Sequence, residues 1–532
     1  MKTLENFLEG RWQAGQGQQA VLTDPVRGAE LACLSARGLD VAAGFNFARQ
    51  QGGAALRALT YAQRAALLTQ IVQVLKANRD KYFDISLQNC GTVASDTSID
   101  VDGSFYTISY FAKLGASLPD TYWHLEGKST ALARDDSFYT QVMEVPIHGL
   151  ALLINAFNFP AWGLWEKAAP ALLSGVPVVV KPASSTAWLA HEMVRDVVDA
   201  NILPAGALNL ICGRPDGQGQ GLLDALDALD VVSFTGSADT AAQLRQHPRI
   251  ARDGVRLNTE TDSVNSALLA PHATPDSEEL NLLVSEVVRE MTSKSGQKCT
   301  AIRRIFVPEH LYDTVAQAIA ARLADVVVGD PRLEGVQMGS LVSAAQAQAV
   351  QQGITQLATA CDILFDGRRQ STVKADSAQH ACIAPMLFGV RDPDSHPLVH
   401  QLEVFGPVAT LMPYRTDTPN AAHAFALARR GQGSLVASVF GEDDAFLALA
   451  ARQLSESHGR VHVVNASVAK THTGHGNAMP QSNHGGPGRA GGGQELGGLR
   501  ALAFYHRYAS VQAPPSVLAH LQPPQAEKQT DA

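Results

Sequence analysis

Five short segments of the chain carry residue types that can make and break bonds. The first is Gly296-Gln297-Lys298-Cys299-Thr300. A cysteine on a loop, beside Lys298 and flanked by glycine, can be reachable and partly ionised, as a thiolate nucleophile must be. Such a cysteine reads equally as a small buried hydrophobe. The other cysteines (Cys33, Cys90, Cys212, Cys361, Cys382) lie in apolar or irregular contexts and read as structural. Glu260 is second, after a predicted strand over 254–258. A carboxylate at the carboxyl end of a parallel strand sits where open α/β sheets build sites, although a solvated strand-end acid has the same pattern. Third, in Asn155-Ala156-Phe157-Asn158-Phe159-Pro160, the Asn158 amide can donate to a developing oxyanion or form an Asx turn ahead of Pro160. Lys181, fourth, ends an apolar strand within reach of ribose or phosphate oxygens, or simply of solvent. The fifth, Ser233-Phe234-Thr235-Gly236-Ser237, repeats strand then Gly-Ser at a helix start, whose N–H groups favour an anion. P-loop spacing is absent, and residues 213–221 do not match the usual dinucleotide fingerprint.

Positioning these groups calls for alternating strands and helices. Apolar, β-branched runs predict strands over 150–156, 176–180, 208–212, 231–234, 267–270, 305–307, 434–440 and 461–464. Helical patterns fall over 62–76, 189–200, 241–246 and 311–324. Over 277–291 the apolar residues Leu280, Leu283, Val284, Val287, Val288 and Met291 form one stripe, and Gly296 then breaks the pattern, so Cys299 falls on a loop just after a helix. The alternation predicts an α/β protein with doubly wound open sheets. Residues 471–493, rich in Gly, His, Asn and Pro, read as a long surface or cleft loop. His472, His475 and His484 lie in it, but the His-x-x-His spacing comes without a helix or a nearby acid, so a loop or substrate-tunnel role is expected and no metal. Residues 511–532 are Pro-rich and are expected to be extended or disordered.

The composition suits these elements and narrows the function. With 532 residues, 45% hydrophobic and 17% charged, the chain can bury large cores and is neither fibrous nor disordered. A net charge of −9 argues against wrapping nucleic acid through a basic face. The start carries no charged segment followed by an apolar one, so no signal peptide is expected. The closest approach to a membrane span, residues 149–165, is interrupted by Asn155, Asn158 and Pro160. Six cysteines with no CxxC predict free thiols in a reducing cytoplasm.

In order and spacing the five segments resemble the aldehyde dehydrogenase superfamily, from about residue 24 to about 510. Glu403-Val404-Phe405-Gly406-Pro407-Val408 matches its E-x-F-G-P-V motif, and Met479-Pro480 with Gln494-Glu495-Leu496-Gly497 resembles its C-terminal elements. The resemblance implies Cys299 as nucleophile, Glu260 as general base, Asn158 as oxyanion donor and Glu495 as a proton holder. It implies a nicotinamide cofactor bound by Ile154, Asn155, Ala156, Phe157, Lys181, Pro182, Ala183, Ser184, Thr235, Gly236, Ser237, Glu260, Thr261, Glu403 and Phe405. It also implies a cofactor domain over 1–134 and 150–262 and a catalytic domain over 263–475. A small β oligomerisation arm and C-terminal segment would take 135–149 and 476–515, with a flexible tail over 516–532 and assembly as a homodimer or tetramer. In NAD-preferring relatives an acid stands three residues after the lysine; here that position is Ser184, which implies NADP over NAD.

The departures are informative. The family's E-L-G-G-K-S is here Glu260-Thr261-Asp262-Ser263-Val264-Asn265, Gln494 replaces an arginine, and the loop before Glu495 is longer. These features resemble the branch that oxidises semialdehydes attached to coenzyme A after aerobic ring opening of aromatic acyl-CoA thioesters. The competing readings are a general aliphatic aldehyde dehydrogenase, a cysteine-dependent thioester hydrolase without redox chemistry, which would not need Lys181, Ser237 or Glu403, and a non-catalytic descendant, which would not need Asn158, Glu260 and Cys299 together.

Overall fold

A computed structural model of the chain describes residues 1–17, 19–214, 221–375 and 381–523. Two seven-stranded sheets hold most of it. In the first, Arg256–Glu260, Val231–Thr235, Ala151–Ile154, Val178–Lys181 and Leu208–Leu210 lie side by side in that order and are parallel; Asn6–Leu8 and Arg11–Gln13 extend the edge antiparallel. The second runs Asp362–Asp366, Met386–Gly389, Val408–Tyr414, Ile302–Pro308, Asn265–Leu269, Ser434–Phe440 and His458–Val464, parallel except at its first strand. The central strands are buried on every residue because helices cover both faces, which is why they read as unbroken apolar runs. Val178, Val180, Leu153 and Trp165 belong to one core; Leu269, Ile305, Leu411 and Val287 belong to another. The architecture is two doubly wound open-sheet domains.

Register fixes where chemistry can occur. Ile154 pairs with Lys181 and with Phe234, and Thr235 pairs with Glu260. The carboxyl ends of four adjacent strands thus finish level, and the loops beyond them open toward the second sheet. The helix Trp162–Leu173 follows the Asn158-Phe159-Pro160 turn, and the buried Asp100 carboxylate caps it by accepting from the backbone N–H groups of Ala161 and Trp162 at 3.2 and 2.7 Å.

Several expectations are revised. A third sheet joins His124–Ala131, Tyr139–Pro146 and His506–Ala513, and its first strand lies outside the segment 135–149 from which strands were expected. That first strand lacks an apolar alternation because it is mostly exposed. The end of the chain is not extended throughout: a short helix, Pro515–Ala519, follows the last strand, and residues 524–532 lie outside those described. Within 213–221, residues 215–220 also lie outside. No helix among the described residues is long and apolar enough to cross a membrane.

Candidate active site

The Cys299 loop is set by backbone conformation before any side chain acts. After the helix Glu278–Thr292, Lys294, Ser295 and Gly296 take φ of 51°, 54° and 68°. Left-handed conformations cost ~1–2 kcal/mol per non-glycine residue, so packing must hold them. Ser295 Oγ donates to the Gly339 carbonyl at 2.9 Å, and the Lys294 ammonium lies 4.4 Å from the centre of the Phe159 ring. A Cβ on Gly296 would meet the Gly406 carbonyl oxygen at 2.2 Å, so only glycine fits. Arg303 bridges the same approach, donating to the carbonyls of Gly406 at 2.6 Å and Gly296 at 2.7 Å. Asn265 donates to the carbonyls of Cys299 at 2.7 Å and Ala301 at 3.0 Å, which gives the departure after Glu260 a role in anchoring this loop.

Cys299 is half-buried at the inner end of a channel of about 280 Å³. Ile99, Tyr106, Phe159, Trp162, Met479 and His484 help line it. Asn158, Glu260 and Thr235 line, together with Cys299, a second, small cavity of about 20 Å³, room for one water. The expectation that Lys298 ionises the thiol is not met. Lys298 Nζ donates to Glu290 at 2.7 Å, both groups buried and committed to each other. Burial, followed by the negative Glu260, instead pushes the thiol well above its ordinary value. The acid nearest the sulfur is Glu260, with a carboxylate oxygen within 4.8 Å of it. Burial opposes the charge on Glu260, but His484 and then Lys167 outweigh it and hold the carboxyl at about 2. His484 Nε2 lies 2.9 Å from Glu260 Oε2.

Behind Glu260 is a cluster that the sequence reading missed apart from Glu495. Lys167 Nζ donates to Glu166 at 2.5 Å and to Glu495 at 2.9 Å, and carboxylate oxygens of Glu166, Glu260 and Glu495 all lie within 4.8 Å of one another. Glu495 also accepts from Ser233 Oγ at 2.6 Å and Asn258 Nδ2 at 3.1 Å. Burial, opposed by Lys167, pushes the Glu166 carboxyl well up. The available signal was a Glu-Lys pair directly after the uncharged run 149–165, where charge needs a partner.

The Gly-rich loop 471–493 is a wall of this site. Its strand Asn483–Gly485 pairs with Gln494–Leu496, His484 opposite Glu495. Gly491 and Gly493 press on the Thr259 carbonyl, where a Cβ would come within 2.3 and 2.4 Å. Of its three histidines only His484 enters the site; His475 meets Ser438 Oγ at 2.6 Å and His472 faces His462 at 3.2 Å.

The expected cofactor residues gather at the level strand ends. Asn155 has both amide atoms buried without partners, and Thr235 Oγ1 and Glu403 Oε1 are likewise unpartnered. Such groups fit a polar ligand with many oxygens. Glu403 Oε2 accepts from the Ser263 N–H at 3.0 Å, Phe405 stacks edge-on against Phe157, and Thr186 Oγ1 ties the turn after Ser184 to the Phe157 carbonyl at 3.0 Å. Lys181, with Pro182 and Ala183, leads into that turn; burial and then Arg214, which sequence reasoning missed, lower its ammonium to about 8. The Ser237 turn departs from the free helix end expected of it. Ser237 Oγ accepts from the Thr240 N–H, Asp262 accepts from the Ala238 N–H, and the Gly236 N–H donates to the Glu260 carbonyl. Thr261 is tied to the Gly-rich loop, its Oγ1 donating to the Arg489 carbonyl at 2.6 Å.

The sheets and the site define a class. The aldehyde dehydrogenase family model matches residues 12–511, and the chain belongs to that family of nicotinamide-dependent oxidoreductases. Among curated proteins it is 51% identical over 485 residues to 3,4-dehydroadipyl-CoA semialdehyde dehydrogenase of Aromatoleum evansii, covering 91% of this chain and 93% of that one. It is 42% identical over 184 residues, 34% of this chain and 52% of the other, to protein MaoC of Klebsiella aerogenes. In fold it matches lactaldehyde dehydrogenase of Escherichia coli at a TM-score of 0.81, with 20% identity and coverage of 96% and 99%.

Proposed function

We propose that this enzyme oxidises a CoA-linked semialdehyde, 3,4-dehydroadipyl-CoA semialdehyde or a close analogue, to the free acid with NADP. The observation that carries the reading is that Cys299 joins a largely apolar channel to a small cavity lined by Glu260 and Asn158, which suits an aldehyde at the tip of a long acyl chain. The high identity to a relative named for that substrate supports it. Cys299 Sγ, its proton released to solvent, attacks the aldehyde carbon as a thiolate to give a thiohemiacetal. The Asn158 amide donates to the resulting oxyanion. A nicotinamide held beside Cys299 would supply the acceptor for the hydride that leaves the adduct carbon, and loss of that hydride leaves a thioester on Cys299. Glu260 then takes a proton from the water that hydrolyses it, and Glu495 with Lys167 holds that proton's exit. Asn155, Thr235, Lys181 and Glu403 would hold the cofactor, with Ile154, Ala156, Phe157, Pro182, Ala183, Gly236, Ser237, Thr261 and Phe405 shaping its bed.

NADP preference follows from charge. Ser184 puts a neutral side chain where NAD-preferring relatives carry an acid, and Lys181 with Arg214 supplies positive charge for a 2′-phosphate. A Ser184→Glu change is expected to reverse the ratio of kcat/KM for the two cofactors. The cofactor and catalytic domains correspond to the two sheets. The arm, whose outer strands have unpaired edges among the described residues, supports a homodimer or tetramer in the cytoplasm. The substrate reading is tested by comparing CoA-linked semialdehydes with free aliphatic aldehydes under both cofactors. It expects the highest kcat/KM for the CoA-linked substrate with NADP; equal values for free aldehydes would favour a general aldehyde dehydrogenase.

A further inference from the structure

The reaction gives His484 no part, yet its ring is the nearest side chain to the base that can carry positive charge. His484 and Glu260 are 2% and 3% exposed, their facing atoms are 2.9 Å apart, and Nε2 makes no aligned hydrogen bond to any group. The ring packs edge-on against Trp162 at 5.5 Å and lines the channel beside Cys299. Its backbone is fixed by pairing with Glu495.

Charge balance makes this placement matter. Glu260 shares Lys167 with Glu166 and Glu495, so one lysine faces three acids. Other nearby cations are committed elsewhere. Lys298 holds Glu290, Arg303 holds the Gly406 and Gly296 carbonyls, Lys294 faces Phe159 and Asp100, and Arg460 donates to the His475 carbonyl. We propose that His484 is a positioning residue, whose buried ring holds the Glu260 carboxylate aimed at Cys299 for the hydrolysis step. In that step the water oxygen bonds to the thioester carbon, its proton passes to Glu260, and the C–S bond breaks with its electron pair staying on Cys299 sulfur. The groups facing the pair are Cys299 from its loop, Glu166 and Lys167 from the helix Trp162–Leu173, Glu495 from its strand and Glu403 from across the cleft.

The inference rests on the reading of Glu260 as the base. The test uses the full chain with His484→Ala and His484→Gln, a free medium-chain aldehyde and the nicotinamide cofactor. A hydride burst reports acylation and the slower phase reports hydrolysis. Hydrolysis is expected to fall ~10- to 100-fold while the burst persists. Its acid limb should move to higher pH, because His484 favours the charged form of the Glu260 carboxylate. Added imidazole should restore hydrolysis in His484→Ala and leave the wild type unchanged. Folded variants that hydrolyse at the wild-type rate with an unmoved acid limb would overturn the proposal, as would an equal loss in both phases with no imidazole rescue. If His484→Ala does not fold, the pH limb of His484→Gln decides. Glu260→Gln separates the two ideas: normal hydrolysis there removes the base itself, whereas slow hydrolysis there beside normal His484 variants removes only His484.

Discussion

Lys298 and Lys167 are both buried near the same cysteine, yet Lys298 holds one carboxylate and Lys167 faces three. The Lys298–Glu290 pair is closed, with two charges at 2.7 Å and no further acid bonded to the lysine. Around Lys167 the charges do not cancel, and the surplus falls on Glu166, whose carboxyl is pushed well up beside Glu260, the acid nearest the thiol. The first arrangement fixes a loop. The second keeps protons mobile beside a reacting atom, at a cost in stability that a purely structural site would not carry.

Several experiments break or sharpen that contrast. Lys167→Met strands three buried acids, and we expect a loss of about 3–5 kcal/mol in urea unfolding, as for one-sided removal of a buried charge. Next in size, Asn158→Ala should lower kcat ~10²- to 10³-fold with little change in Tm, since the amide acts on the oxyanion and not on the loop; stopped-flow hydride transfer measures it. By contrast, the double change Lys298→Met with Glu290→Leu should stay within about 2 kcal/mol of wild type in unfolding and retain the hydride burst, because a balanced pair can be exchanged for apolar groups.

The smallest effect is a pH slope. Glu166 is pushed up by burial, so the folded state keeps a proton that the unfolded chain has released. Stability from this group is present below its unfolded value and lost as pH rises through its folded value. Glu260 has the opposite sign: held at about 2 against an ordinary 4.5, its charge contributes above the ordinary value and is lost as pH falls toward 2. Glu166→Gln should therefore flatten the decline in urea midpoint on the alkaline side and leave the acid side unchanged. A variant curve parallel to wild type would remove Glu166 from the account.

The site was readable where chemistry is local in sequence. Cys299 follows the glycine that its turn requires, and Glu260 ends its strand, so position along the chain nearly equals position in space. His484 is brought to Glu260 by a strand pairing that no local period announces, and the Glu166–Lys167 pair hides inside an otherwise apolar helix. The fold shows the same division. Ser434–Phe440 is buried on both faces and reads directly as a strand. The longest helix among the described residues, Ala94–Ser117, went unread because its first turns bury Asp96, Thr97 and Asp100, and the apolar stripe of Val101, Phe105, Ile108 and Ala112 begins only beyond them. Met386–Gly389 and Val408–Tyr414 also went unread, although both are almost wholly buried; for these the sequence offers no physical excuse.

The central claim is that one sulfur carries the substrate and one carboxylate releases it. Intact-protein mass spectrometry on Glu260→Gln, quenched after a single turnover with aldehyde and cofactor, tests it directly. The account predicts an acyl adduct on Cys299 that accumulates in step with reduced cofactor and decays ~10²- to 10⁴-fold more slowly than in wild type. Reduced cofactor forming with no mass added at Cys299, or an adduct that clears at the wild-type rate, would contradict it.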